Sequence, residues 1–166
     1  LLLGQTCGLP FVSGRCGLAE VFACPDYGLP GASSGLYASA IVVRRGARPV
    51  RERAAVAAIN GMGSQSGCHA LADWALTREG PVAGALFGGC VVSGAHRASA
   101  AMVARGEADI AALDAVAWAL VRRHDPDVAA ALDVLEWTRP MPALPFVTAP
   151  AHAGLLGDLR APLPLA

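Results

Sequence analysis

Between Val56 and His124, short apolar runs alternate with small polar turns and with longer segments whose apolar residues recur at helical spacing. Val56-Ala-Ala-Ile-Asn60 stops in the glycine-rich Gly61-Met-Gly-Ser-Gln-Ser-Gly67, which predicts a strand followed by a turn. Cys68 to Arg78 is then a predicted helix, with Leu71, Trp74, Ala75 and Leu76 on or near one face and Gly80-Pro81 as its stop. The order repeats. Gly88 to Val92 is a predicted strand, Ser93-Gly-Ala-His96 a turn, and Arg97 to Arg105 a helix closed by Gly106. Glu107 to Leu113 is a short buried strand ending at Asp114, and Ala115 to His124 a further helix whose exit is marked by Asp125-Pro126. Strand, turn and helix in this succession predict an α/β fold, a parallel sheet with helices on its faces.

The flanks are less regular. Leu1 to Phe11 and Ala19 to Cys24 read as strand pieces, separated from the β-branched run Leu36 to Arg44 by the turn-rich Pro25-Asp-Tyr-Gly-Leu-Pro-Gly31. Leu132 to Trp137 is a strand candidate. Thr138 to Pro150 carries four prolines, which predicts an extended crossover and no central strand or helix. Arg160 to Ala166 reads as a frayed tail.

Composition narrows the function classes. Hydrophobic residues make up 54% of the 166 and charged residues 16%, the balance of a chain with a substantial core. All thirteen basic residues are arginines, offset by thirteen acids, and aromatics are 5%. With no basic run, nothing supports nucleic-acid binding. No segment reaches the roughly 18–20 apolar residues of a membrane span, and Leu1 to Leu3 lacks the basic flank of a leader. Cys7, Cys16, Cys24, Cys68 and Cys90 show no C-x-x-C or zinc-like spacing, so no metal or cofactor is expected. A Cys7–Cys24 or Cys16–Cys24 bridge in an oxidising compartment and buried free thiols both remain open.

Two predicted turns, Ser64-Gln65-Ser66-Gly67 and Ser93-Gly94-Ala95-His96, each join a strand to the N-terminus of a helix. Helix N-termini expose unpaired N–H groups and the positive end of the dipole, and hydroxyls add donors. Neighbouring turns of this kind in a parallel sheet open on one crevice, where an anion would be held. The same serines serve equally as ordinary N-caps. His96 at a helix start is not favoured there by the dipole, and Asp114 suits either an N-cap or an acceptor facing the crevice. Cys68-His69 is not a nucleophile–base pair, because helical neighbours point about 100° apart. His124 and His152 lie in loop-like contexts without partners.

Asn60 to Leu76, NGMGSQSGCHALADWAL, resembles the strand, D/N-x-x-S-x-S-G turn and helix of phosphate/phosphite/phosphonate ABC-transporter substrate-binding proteins. Val91 to Asp114, VVSGAHRASAAMVARGEADIAALD, is similar to their next segment, and Tyr37 to Gly46, YASAIVVRRG, to the strand that leaves the first lobe. The resemblance implies a type 2 periplasmic-binding-protein fold, two lobes with parallel sheets flanked by helices and a solute clamped between them. Residues 1–45 and 138–166 would form a first lobe that lacks its N-terminal units, and residues 46–137 the second. It implies that Ser64, Gln65 and Ser66 grip the anion with Ser93 and His96, that Tyr37 faces them from the first-lobe side, and that Asp114 faces the cleft. Gln5 and Thr6 become first-lobe contacts. Gln65 stands where the family commonly has a hydroxyl residue. The implied role is a non-enzymatic solute-binding protein for a small anion, feeding an ABC-transporter permease from the periplasm or cell envelope. An enzyme of the same fold, related to thiamine-precursor or desulfurisation enzymes, and a ligand-sensing domain are the alternatives.

Overall fold

The computed structural model of the protein describes residues 3–14, 17, 19–29, 34–47, 54–79 and 86–156. Its larger sheet takes in β4 (Ser39–Arg44), β5 (Ala55–Ile59), β6 (Phe87–Val92), β7 (Ile110–Asp114) and β8 (Leu132–Trp137), in the spatial order β6-β5-β7-β4-β8. β5 runs parallel to β6 and to β7, and the expected strand–turn–helix units are present. α2 (Ala70–Glu79) joins β5 to β6, α3 (His96–Arg105) joins β6 to β7, and α4 (Ala115–His124) leaves β7. β4 is antiparallel to both of its neighbours, so the sheet is mixed.

That central strand corrects one expectation. The run around Ile41 was assigned with residues 1–45 to the first lobe, but its ladders pair Ser39 with Asp114 and Ile41 with Ala112 and Glu136, inside the larger sheet. The physical reason lies in its side chains. Ala40 and Val42 pack on one face with Ala58, Ala111, Leu113, Val103 and Trp118, while Ile41 and Val43 pack on the other with Ala57, Ile59, Ile110 and Leu71. A strand apolar on both faces needs cover on both, and only the middle of a two-sided sheet supplies it.

Helix limits follow local chemistry. α3 closes at Gly106, whose φ of 77° is the left-handed conformation that glycine adopts most readily. α4 begins behind Asp114, which accepts from the Ala117 N–H, and ends at Asp125. Pro126 does more than mark that exit: it starts the short α5 (Pro126–Ala130), where its missing N–H is not required. On α2, Leu71 and Ala75 are buried as expected but Leu76, the next position round, is exposed.

The remaining strands are β1 (Gly4–Gln5), β2 (Glu20–Ala23), β3 (Leu36–Tyr37), β9 (Met141–Pro142) and β10 (Phe146–Thr148). They form a three-stranded sheet, β1-β10-β2, and a β3–β9 pair. All of these pairings are antiparallel, which corrects the expectation of a parallel first-lobe sheet. The expected strand piece over Leu1 to Phe11 is also shorter. Gly4–Gln5 is a strand, but Gly8–Val12 is a helix, α1, held by Phe11 N–H to Cys7 and Ser13 N–H to Leu9. Pro10 falls in its first turn, where no N–H is needed. Thr138 to Pro150 is extended as expected, yet Phe146–Thr148 is a central strand after all, paired on both sides between Pro145 and Pro150. Three consecutive residues that, unlike proline, carry a backbone N–H suffice for that. Cys7 and Cys24 are free thiols, so no bridge joins them; Cys16, the helix stop at Gly80-Pro81 and the Arg160 to Ala166 tail lie outside the described residues.

Candidate functional site

Because β5, β6 and β7 are parallel, the residues that follow them emerge at one edge of the sheet: Asn60 after β5, Ser93 after β6, and Asp114 at the end of β7. β4 runs the other way, so its beginning reaches the same edge, with Ser39 opposite Asp114 and the Ala115 N–H bonded to the Ala38 carbonyl. Tyr37, two residues before, is thereby carried to the site.

His96 is the centre of the cluster. Its Nε2 lies 3.0 Å from Ser66 Oγ, 3.1 Å from Asp114 Oδ2 and 3.3 Å from Asn60 Nδ2. The two turns singled out in the sequence therefore meet. One ring nitrogen either donates a single proton, to Asp114 or Ser66, or accepts one, from Asn60 Nδ2 or the Ser66 hydroxyl, so the three neighbours cannot all be satisfied at once. His96 Nδ1 and Asn60 Oδ1 are buried without a hydrogen-bond partner among the described residues, an expensive state for polar atoms unless a ligand completes them. Gly67 makes this packing possible: a Cβ there would fall on the Asn60 carboxamide and 3.0 Å from His96 Cε1.

Three helical starts border the cluster, and they differ. At the first, Gln65–His69 forms a π-helical turn leading into α2, and Ser64 Oγ accepts from the Gly67 N–H. At the third, Asp114 Oδ1 accepts from the Ala117 N–H at 2.7 Å. At α3 the N-cap is Ala95, which offers no side-chain acceptor, so the first N–H groups of that helix remain available to an anion beside His96.

Asp114 acts as both cap and cluster acceptor. Burial pulls its carboxyl group upward, but the hydrogen bond and charge of His96, with the N–H groups of Ala117 and Val116, outweigh it and hold Asp114 below the usual carboxylate range. Burial, aided by Cys7, Asp114 and Tyr27, pushes the Tyr37 phenol up to about 12 against the opposing hydrogen bond from Ser66. Because the fold holds that proton more tightly than the unfolded chain does, the associated stability is complete below pH 10.0 and lost as pH rises through about 12. In an alkaline titration followed at 295 nm, one of the two tyrosines should ionise near that upper value, and Tyr37→Phe should remove this late step.

The other predicted residues are placed as follows. Gln5 donates to the Tyr27 hydroxyl and to the Leu144 carbonyl, both at 2.9 Å, and Tyr27 lies close enough to Asp114 for its phenol to be raised by it, behind the larger effect of burial. Thr6 Oγ1 contacts the Cys7 carbonyl. Gln65 opens the π-helical turn and is half-buried. Ser93 does not join the cluster: its hydroxyl is engaged within its own turn, near the carbonyls of Ile59 and Ala95 and 2.7 Å from Ser99 Oγ. Unlike Ser66, it is not brought to His96. Sequence reasoning missed Asn60, whose signal was a polar residue closing an apolar strand, and Tyr27, which sits in an irregular loop with no pattern to find it.

Cys68 and His69 form no dyad. The His69 ring faces the Met62 carbonyl at 3.2 Å, and burial pushes the Cys68 thiol up, away from the thiolate that nucleophilic chemistry needs. Cys68 instead lines an apolar cavity of about 270 Å³ with Cys90, Met62 and Phe87. Among the described residues no group of three or more metal-ligating side chains occurs, and no helix is long and apolar enough to cross a membrane.

A mixed, helix-flanked sheet whose strand-end turns gather at one edge is shared with solved periplasmic-binding-protein and Venus-flytrap structures. The chain belongs to the family described as ABC transporter, phosphonate, periplasmic substrate-binding protein, whose sequence model matches residues 3–161. Solved structures share the fold. A binding-protein component of an ABC phosphonate transporter from Pseudomonas aeruginosa is 16% identical, with a TM-score of 0.73 over 95% of this chain and 55% of that one. The PhnD1 protein of Prochlorococcus marinus, in complex with methylphosphonate, is 19% identical, with a TM-score of 0.69 over 95% and 60%. The periplasmic VFT2 domain of Bordetella pertussis BvgS is 17% identical, with a TM-score of 0.56 over 95% and 57%. The chain thus spans little more than half the length of these structures. No curated protein matches it.

Proposed function

We propose that this chain is the anion-gripping part of a phosphonate-type solute-binding protein that works with an ABC-transporter permease. The observation that carries the reading is the meeting of Ser66 and His96 at 3.0 Å beside the uncapped start of α3. Side-chain donors and free helix N–H groups converge there on one point, which suits an oxyanion. Ser66, His96 and Asn60 with the α3 N–H groups grip the charged end, while Tyr37, Gln5 and Tyr27 close the site from the side of the smaller sheet. Ser64 and Gln65 shape the loop. The solute lies between the larger sheet, with its helices, and the antiparallel strands.

A thermal-shift series with methylphosphonate, phosphate, phosphite, methanesulfonate and taurine tests this. A ligand at a hundred times its Kd adds about 2.7 kcal/mol of stability, a rise of roughly 5–10 °C for a chain of this size. Methylphosphonate or a close oxyanion should produce such a rise, and His96→Ala should abolish it while the unliganded melt stays cooperative. No rise with any of these anions would refute the proposal.

A further inference from the structure

The charge around the cluster is one-sided. Asp114 contributes a carboxylate held ionised by its neighbours, and no guanidinium among the described residues comes forward to balance it. Arg97, next to His96 in sequence, turns away to make a two-pronged pair with Asp125 at 2.7 and 2.6 Å. Arg45, Arg78, Arg105 and Arg139 are paired with Asp133, Glu136, Glu107 and Asp73. Arg44 lies against Gly106, while Arg122 and Arg123 belong to the last turn of α4, the opposite end from Asp114. The chain has no lysine. The groups that face the His96 ring are Asp114 from the end of β7, Ser66 from the π-helical turn and Asn60 from the end of β5. Near them stand Tyr37, bonded to Ser66, Tyr27 from the loop after β2, and Cys7 at the start of α1. Among the described residues, only His96 can bring a full positive charge into contact with this cluster.

The ring has two ways to meet its surroundings. Neutral, with its proton on Nε2, it donates to Asp114 or Ser66 and presents a buried, unpartnered lone pair at Nδ1. The His96–Asp114 pair then carries a net negative charge, which repels an oxyanion. As an imidazolium it donates from both nitrogens, and the pair is neutral overall. An anion entering the site stabilises the second state over the first. We propose that a doubly charged phosphonate is bound together with one proton from solvent, accepted by a ring nitrogen of His96. No other bond changes in that step. The inference rests on the phosphonate reading above and adds a pH dependence to it, affinity falling as pH rises above the range in which His96 is charged in the free protein.

The test is calorimetric binding of methylphosphonate to the 166-residue chain, at one pH, in two buffers of different ionisation enthalpy. The protons taken up per ligand follow from the difference. Wild type should take up about one proton more than His96→Gln, and its Kd should weaken with pH more steeply, by up to roughly tenfold per unit. The second ionisation of methylphosphonate contributes equally to both proteins and cancels. Should His96→Gln fail to bind, proton NMR of wild type gives the same answer: the His96 Cε1–H signal, assigned by its absence from His96→Gln, should titrate at a higher pH with methylphosphonate bound than without. Binding with an unchanged His96 titration overturns this inference and leaves the phosphonate reading standing. No methylphosphonate binding anywhere between about pH 5 and 8 overturns both, because histidine changes charge within that window.

Discussion

Replacing Gly67 by alanine should abolish the methylphosphonate-induced thermal shift while leaving the chain folded. The added Cβ would fall on Oδ1 of Asn60, 2.8 Å from Asn60 Cγ and 3.0 Å from His96 Cε1, so both side chains must move. Overpacking of this kind costs about 1–3 kcal/mol of stability, which a sheet core on this scale tolerates. The binding cost is larger in consequence. Asn60 and Ser66 are the groups that hold His96 in register with the uncapped start of α3, and a shifted ring no longer donates to the same point. A loss of affinity of tenfold or more, at least about 1.4 kcal/mol, is expected by titration. An unchanged Kd for Gly67→Ala would show that the packing of Asn60 against Gly67 has no part in the site.

The largest effect on stability should come from Ile41→Ala. Ile41 is fully buried in the central strand, paired to β7 and β8 and packed with Leu71, Ile110 and Ala112. Truncating a buried isoleucine to alanine removes transfer free energy and leaves a cavity, about 2–5 kcal/mol together. For a chain of this length that is on the order of 10 °C in Tm. Urea unfolding should show the midpoint falling with the slope unchanged. A loss below about 1 kcal/mol would contradict the placement of this strand at the middle of the sheet, since an edge strand could relax around the gap.

Much of the core region was readable because its signals are local. Ala115 to His124 was legible to the residue: Asp114 supplies a cap, Trp118 and Val121 recur at helical spacing, and Asp125-Pro126 ends the run. The α3 segment was equally clear, since Gly106 is a stop that acts within one turn. The opening residues were not. Leu1 to Phe11 looks extended by composition, yet Gly8–Val12 forms a helix, a choice of two backbone bonds that no periodicity announces. Phe146–Thr148 was hidden by the prolines on either side of it.

The candidate site divides in the same way. Ser66, His96 and Asp114 could be named from strand–turn–helix order, because parallel strands put their following turns at one edge. Ser93 satisfied the same pattern and still stands apart from the groups around His96, because its hydroxyl finds Ser99 six residues on, a contact as local as a cap but invisible beside the larger motif. Gln5 could be named only through the family resemblance, and Tyr27 not at all. Their place depends on a partner strand more than a hundred residues away: Gln5, which donates to Tyr27, is held by the Leu144 carbonyl, and β1 is paired to β10. What the order of residues determined alone was therefore the set of short-range elements and the helix starts able to face an anion, because caps, turns and periodicity act over a few residues. Only the tertiary structure decided the direction of β4, the membership of Ile41 in the larger sheet and the ring of groups around His96, because pairing partners and the competition for one buried nitrogen depend on chain segments that meet only after folding.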